Sequence, residues 1–126
     1  MSINTSNRMK TRIKKEGDTI IVNVDGKLNY EGQLPLKEDL TKIISNNMTD
    51  TTPKKIIFNL EKLEFVGSSG ISSFVQTLKE FNQRSPSKPA YCNVRSEFQK
   101  IIRAFDEENA FDFFESEEKA RSSFDH

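Results

Sequence analysis

The chain has 126 residues, enough for one domain with a single core. Apolar residues make up 34% of it and charged residues 30%, so a modest core with well-solvated outer faces is expected. Nineteen basic residues against nineteen acidic ones leave no net field that favours nucleic acid or an anionic membrane.

Ten phenylalanines and no tryptophan give much of the packing to Phe. Cys92 is the only cysteine, which excludes an intrachain disulfide and fits a reducing compartment. No run approaches the roughly 18 apolar residues of a membrane span. The start, MSINTSNRMK, lacks the apolar stretch of a secretory signal. The expectation is a soluble, cytoplasmic protein.

Residues 1–9 are polar and are expected to be disordered, with one domain over 10–126. MKTRIKK (9–15) alternates weakly and reads as a short edge strand, and EGD (16–18) as a turn. TIIVNVDG (19–26) is a β-branched run with Ile20, Val22 and Val24 on one face. The two runs predict an antiparallel hairpin. After Pro35, the residues Leu36, Leu40, Ile43, Ile44 and Met48 fall on one helical face.

KKIIFNLEKLEFV (54–66) opens with Ile56-Ile57-Phe58, the pattern of a central strand buried on both faces. Beyond GSSG, the residues Ile71, Phe74, Val75, Leu78 and Phe81 mark an amphipathic helix. RSPSKP (84–89) breaks it, and AYCNV (90–94) reads as a short strand. SEFQKIIRAFDEENA (96–110) predicts a third helix with Phe98, Ile101, Ile102 and Phe105 on its apolar face; Ser96 and Gln99 match a capping box. FDFFE (111–115) reads as a last strand, and 116–126 as a terminal helix capped by Ser116. The fold class is therefore α/β: a mixed sheet of about five strands carrying about four helices.

Chemistry concentrates at Gly67-Ser68-Ser69-Gly70. The only histidine, His126, sits at the chain's end, so neither a metal site nor a Ser-His-acid triad is expected. GSSG is not the Gly-x-Ser-x-Gly of a nucleophile elbow, and a phosphate loop would need a Lys-Ser/Thr pair. Ser68 as a helix N-cap explains one hydroxyl simply. Capping alone does not require both glycines, which strip bulk from either side of the hydroxyls and let a partner approach. The free N–H groups of a helix start also favour a phosphate, whether on a ligand or on a modified serine.

With these residues in place, the sequence resembles the STAS domain, found in sulphate transporters and anti-sigma factor antagonists, and within it the bacterial single-domain antagonists. LEKLEFVGSSGISSFVQTLKEF (60–81) is similar to the family's strand, its Asp-Ser-Ser/Thr-Gly and its following helix. VNVDGKLNY (22–30) and FQKIIRAFDEENAFDFFESEEKA (98–120) are similar to two further family segments, so the resemblance spans roughly 10–124. It implies a STAS fold, no enzyme activity and no cofactor. It implies partner switching: the unphosphorylated antagonist binds an anti-sigma factor, a serine kinase of histidine-kinase-like fold, and frees a sigma factor. Phosphorylation abolishes binding and a PP2C-type phosphatase reverses it.

Carried onto this chain, the resemblance makes Ser68 the phosphoacceptor, with Ser69 as the fallback. It implies a partner surface at Asn29, Tyr30, Phe65, Gly67, Ser68, Ser69, Gly70 and Ser72, on a monomer. The chain departs from the family pattern twice, with Gly67 in place of the aspartate before the serine and Asn29 in place of an acid. Those departures favour an alternative: a non-phosphorylated STAS subunit of a lipid ABC transporter or a signalling scaffold.

Overall fold

The computed structural model describes residues 10–28, 36–42, 55–65, 71–85, 88–106 and 111–124. It begins with the expected hairpin: β1 (Lys10–Glu16) pairs antiparallel with β2 (Thr19–Leu28), from Glu16↔Thr19 to Lys10↔Asp25. Gly17, the first of the two turn residues, has φ 64°, which glycine adopts without strain and which suits a tight hairpin.

β2 alternates as its sequence predicts. Ile20, Val22 and Val24 enter the main core, and Ile21 enters a smaller one on the opposite face. Residues 36–42 form α1, with Leu36 and Leu40 buried one turn apart. The other positions expected on that helix face, Ile43, Ile44 and Met48, lie outside the described residues.

The run 54–66 is two strands, β3 (Lys55–Asn59) and β4 (Leu63–Phe65). Both pair parallel with β2, β3 along 19–23 and β4 along 26–28. Asn59 is opposite Asn23 and Leu63 opposite Gly26, so Leu60, Glu61 and Lys62 face only Val24 and Asp25. This one-residue step is a bulge between the two strands. It adds the sixth strand to the five expected.

α2 (Ile71–Arg84) buries the five residues its spacing singles out, Ile71, Phe74, Val75, Leu78 and Phe81. β5 (Ala90–Cys92), α3 (Ser96–Ala104), β6 (Asp112–Phe114) and α4 (Glu117–Ser123) complete the order. The sheet runs β1-β2-β3-β5-β6, with β4 beside the far end of β2; every pairing except β1–β2 is parallel. α1, α2 and α3 supply the main core on one face, and α4 covers the other through Ala120.

Phenylalanine carries the packing. Phe58 stacks on its neighbour Tyr91 at 4.9 Å and meets Phe81 edge-on at 5.2 Å. Tyr91 touches Phe111 at 5.0 Å, and its hydroxyl donates to Asn82 Oδ1 at 2.7 Å, which satisfies a fully buried polar group. Each buried Phe contributes about 1.5–3 kcal/mol through area alone. On the opposite face Glu16 ties β1 to α4 through Arg121. Lys14 first, and then Arg121, hold the Glu16 carboxyl below its ordinary range.

Three local expectations need correction. α3 ends at Ala104 rather than 110, and Phe105, its C-cap, is 45% exposed instead of buried. The N-cap of α3 is Arg95, so Ser96 is already helical, and no side-chain bond caps that end. Gln99 instead donates to the Val94 carbonyl at 2.8 Å. The Ser116 cap is as expected, accepting from the Lys119 N–H at 3.2 Å.

Two outcomes follow from this packing. Phe58→Ala removes the fully buried ring that joins Phe81 to Tyr91 and is expected to cost about 3–5 kcal/mol in urea unfolding. Burial, and then the charges of Glu117 and Glu61, push the Cys92 thiol up to about 12. The unfolded chain therefore ionises this thiol first, so its contribution to stability is intact below about pH 8.5 and declines as pH rises beyond that. The urea midpoint should fall between pH 8 and 10 in the wild type and fall less in Cys92→Ala.

Candidate functional site

The candidate site sits where three elements end or begin. Gly26↔Leu63, Lys27↔Glu64 and Leu28↔Phe65 pair the last residues of β2 with β4. These are carboxyl ends of parallel strands, where open α/β sheets place their binding crevices. Asn29 follows Leu28 in the chain, and Val66 follows Phe65. α2 then begins at Ile71, which is 6% exposed and anchored in the main core beside Phe74 and Val75. The stretch 66–70 is thus joined at both ends to elements fixed by packing.

Of the residues expected to form the site, Asn29, Tyr30, Gly67, Ser68, Ser69 and Gly70 lie outside the described residues. The backbone of Phe65 is the last of β4, opposite Leu28. Ser72 is exposed in the first turn of α2. That turn carries no acidic residue. The helix dipole therefore meets no compensating carboxylate from its own first turn, which favours an added negative charge there. The first acid along α2 is Glu80, which accepts from Gln76 at 3.3 Å and lies 3.8 Å from Lys37.

Two features near the site were not foreseen. A groove of about 260 Å³ beside β4 is lined by Leu63, Glu64, Arg95, Glu97 and Phe98. Its residues come from segments remote in sequence, so no local spacing reveals it. The second is a part-buried polar cluster at the β3–β4 step, built on the buried Asn59 and on Asn93. The single polar residue interrupting the apolar run Ile56-Ile57-Phe58-Asn59-Leu60 was its only visible signal. Among the described residues, no group of three or more His, Cys, Asp or Glu side chains is placed to hold a metal ion. Nor is any helix among them long and apolar enough to cross a membrane.

Comparison with known proteins gives the same architecture. A family model for the STAS domain matches residues 10–120. An anti-sigma factor antagonist from Mycobacterium paratuberculosis superimposes with a TM-score of 0.67 at 13% identity, covering 100% of both chains. A variant of RsbS from Moorella thermoacetica gives 0.68 at 13% identity, over 92% of this chain and 95% of that one. Bacillus SpoIIAA in its phosphorylated form gives 0.56 at 18% identity, over 91% and 99%. At these identities the likeness is one of fold. The family match spans 10–120, most of the chain, and the mixed sheet and helices are arranged as in SpoIIAA-like structures: the chain belongs to the STAS domain family.

Proposed function

We propose that this protein is an anti-sigma factor antagonist that works by partner switching, with Ser68 as its switch. In its unphosphorylated form it binds an anti-sigma factor, a serine kinase of histidine-kinase-like fold, and releases a sigma factor. Phosphate on Ser68 abolishes that binding, and a PP2C-type phosphatase restores it. The protein itself is not an enzyme and acts in the cytoplasm as a monomer.

The observation that carries this reading is the combination of the STAS match over 10–120 with Ser68-Ser69-Gly70 immediately before α2. The fold is shared with anti-sigma factor antagonists, one of them solved in a phosphorylated form. The acid-free first turn of α2 suits such a modification. A phosphoserine adds about 1.5–2 negative charges, which a helix N-terminus tolerates. A partner surface shaped for a neutral hydroxyl between two glycines loses contact through bulk and desolvation. The interface is broken while the fold stays as it is.

Gly67 and Asn29 favour one second reading, since both remove acids that the family pattern places near the serine. In that reading the chain is a non-phosphorylated STAS subunit of a lipid ABC transporter or a signalling scaffold. Affinity capture from the native cells with mass spectrometry separates the two. A kinase-like serine regulator supports partner switching, and a transporter ATPase subunit supports the alternative.

Titration calorimetry with the captured kinase tests the switch. Ser68→Ala should bind like the wild type, and Ser68→Asp should bind at least about tenfold more weakly, a loss of about 1.4 kcal/mol. Equal binding by both variants removes Ser68 as the switch. Repeating the pair at Ser69 then decides whether the neighbouring hydroxyl carries the role.

A further inference from the structure

One side chain braces the step between β3 and β4 beside its backbone bonds. Asn59 is only 9% exposed, at the last position of β3. Its Oδ1 accepts from the Glu61 N–H at 3.0 Å and from Asn93 Nδ2 at 3.3 Å. Its Nδ2 donates to Glu117 Oε2 at 2.7 Å. The orientation of the amide is fixed by its partners, because a backbone N–H only donates and a carboxylate accepts. A carboxylate at 59 would lack the donor, and an apolar residue would lack both functions.

The groups around Asn59 are themselves committed to the step. Leu60 N–H donates to the Cys92 carbonyl at 3.2 Å, and Leu63 N–H to the Leu60 carbonyl at 3.2 Å. Gly26, at φ 101°, donates its N–H to the Lys62 carbonyl at 3.1 Å. Asn93 holds φ 57°, unusual for a residue with a side chain, and its N–H donates to the Phe114 carbonyl at 3.2 Å. A left-handed residue next to a shared hydrogen-bond acceptor marks backbone conformation maintained by its surroundings.

We infer that Asn59 is a positioning residue for the candidate site. Its Oδ1 holds the turn at Glu61, the turn sets the one-residue offset of β4 against β2, and β4 delivers the chain to 66–70. The consequence for binding rests on the Ser68 reading above; the placement of β4 does not. Glu117 fastens the amide to α4 through Nδ2, a different atom from the one that accepts from the turn. The two bonds can therefore be broken separately, and only loss of the Oδ1 acceptor should release β4.

The test compares Asn59→Ala with Glu117→Ala in the full chain, by amide hydrogen exchange and by binding to the captured kinase. Asn59→Ala should raise exchange at Leu63, whose N–H bonds Leu60 in the turn, and at Glu64, whose N–H faces β2 in the parallel ladder, relative to Val22 in the core, by about tenfold or more, the effect of losing roughly one hydrogen bond. It should weaken binding by about tenfold with Ser68 intact. Glu117→Ala should leave both ratios within about twofold of the wild type even though it lowers stability. If Asn59→Ala does not fold, Asn59→Val keeps strand preference and apolar packing while still lacking the acceptor. Equal effects in the Asn59 and Glu117 variants, or unchanged exchange at Leu63 and Glu64, overturn the positioning role. Released β4 with wild-type binding overturns its functional part. The exchange measurement needs no partner, so failure of the wild type to bind any kinase counts against the Ser68 reading alone.

Discussion

β2 is the strand on which the other elements depend. Its ten residues pair with β1 along one side and with β3 and then β4 along the other. A strand shared in this way fixes three registers at once, because a slip of one residue would turn Ile20, Val22 and Val24 out of the core. The apolar alternation of β2 therefore constrains the hairpin, the centre of the sheet and the end of β4. The helices follow from it: α1, α2 and α3 pack over the face that Val22 and Phe58 present, and α4 over the face of Ile21 and Ile57.

The proposed switch depends on this rigidity. The switch segment joins β4, held against β2, to α2, whose first residue is already buried. In the proposed switch, a phosphate is added between two such anchors, and it changes the charge and bulk there. In that case the signal is read as loss of complementarity to a partner. A conformational change transmitted through the sheet is not required. The first turn of α2 carries no acid, and in the sequence Gly67 and Asn29 stand where the family pattern has acids. Phosphate is then easier to accommodate within the domain. The same change also removes acids on which a kinase could rely, and this is why the non-phosphorylated reading stays in competition.

Elements held by local pattern were legible in the sequence. The helical spacing of Ile71, Phe74, Val75, Leu78 and Phe81 named the buried face of α2, and Ile56-Ile57-Phe58 named a strand buried on both sides. The break after Asn59 was not legible. Asn59 bonds there to residues 61, 93 and 117, partners that no local window holds together. The end of α3 was missed for a related reason: Phe105 continues the helical spacing, but the chain leaves the helix there and exposes it. At the site, the residues themselves suggested a helix start and an anion-tolerant surface. Only the family resemblance distinguished Ser68 from Ser69, because nothing in their spacing differs.

The central claim is that phosphate on Ser68 and partner binding exclude each other. The most direct measurement is peptide mapping by mass spectrometry of the protein taken from its own cells, separated into free and partner-bound pools. The account predicts phosphate on Ser68 in the free pool and an unmodified Ser68 in the bound pool. Equal phosphate occupancy in the two pools, or a Ser68 that is unmodified in both, would contradict it.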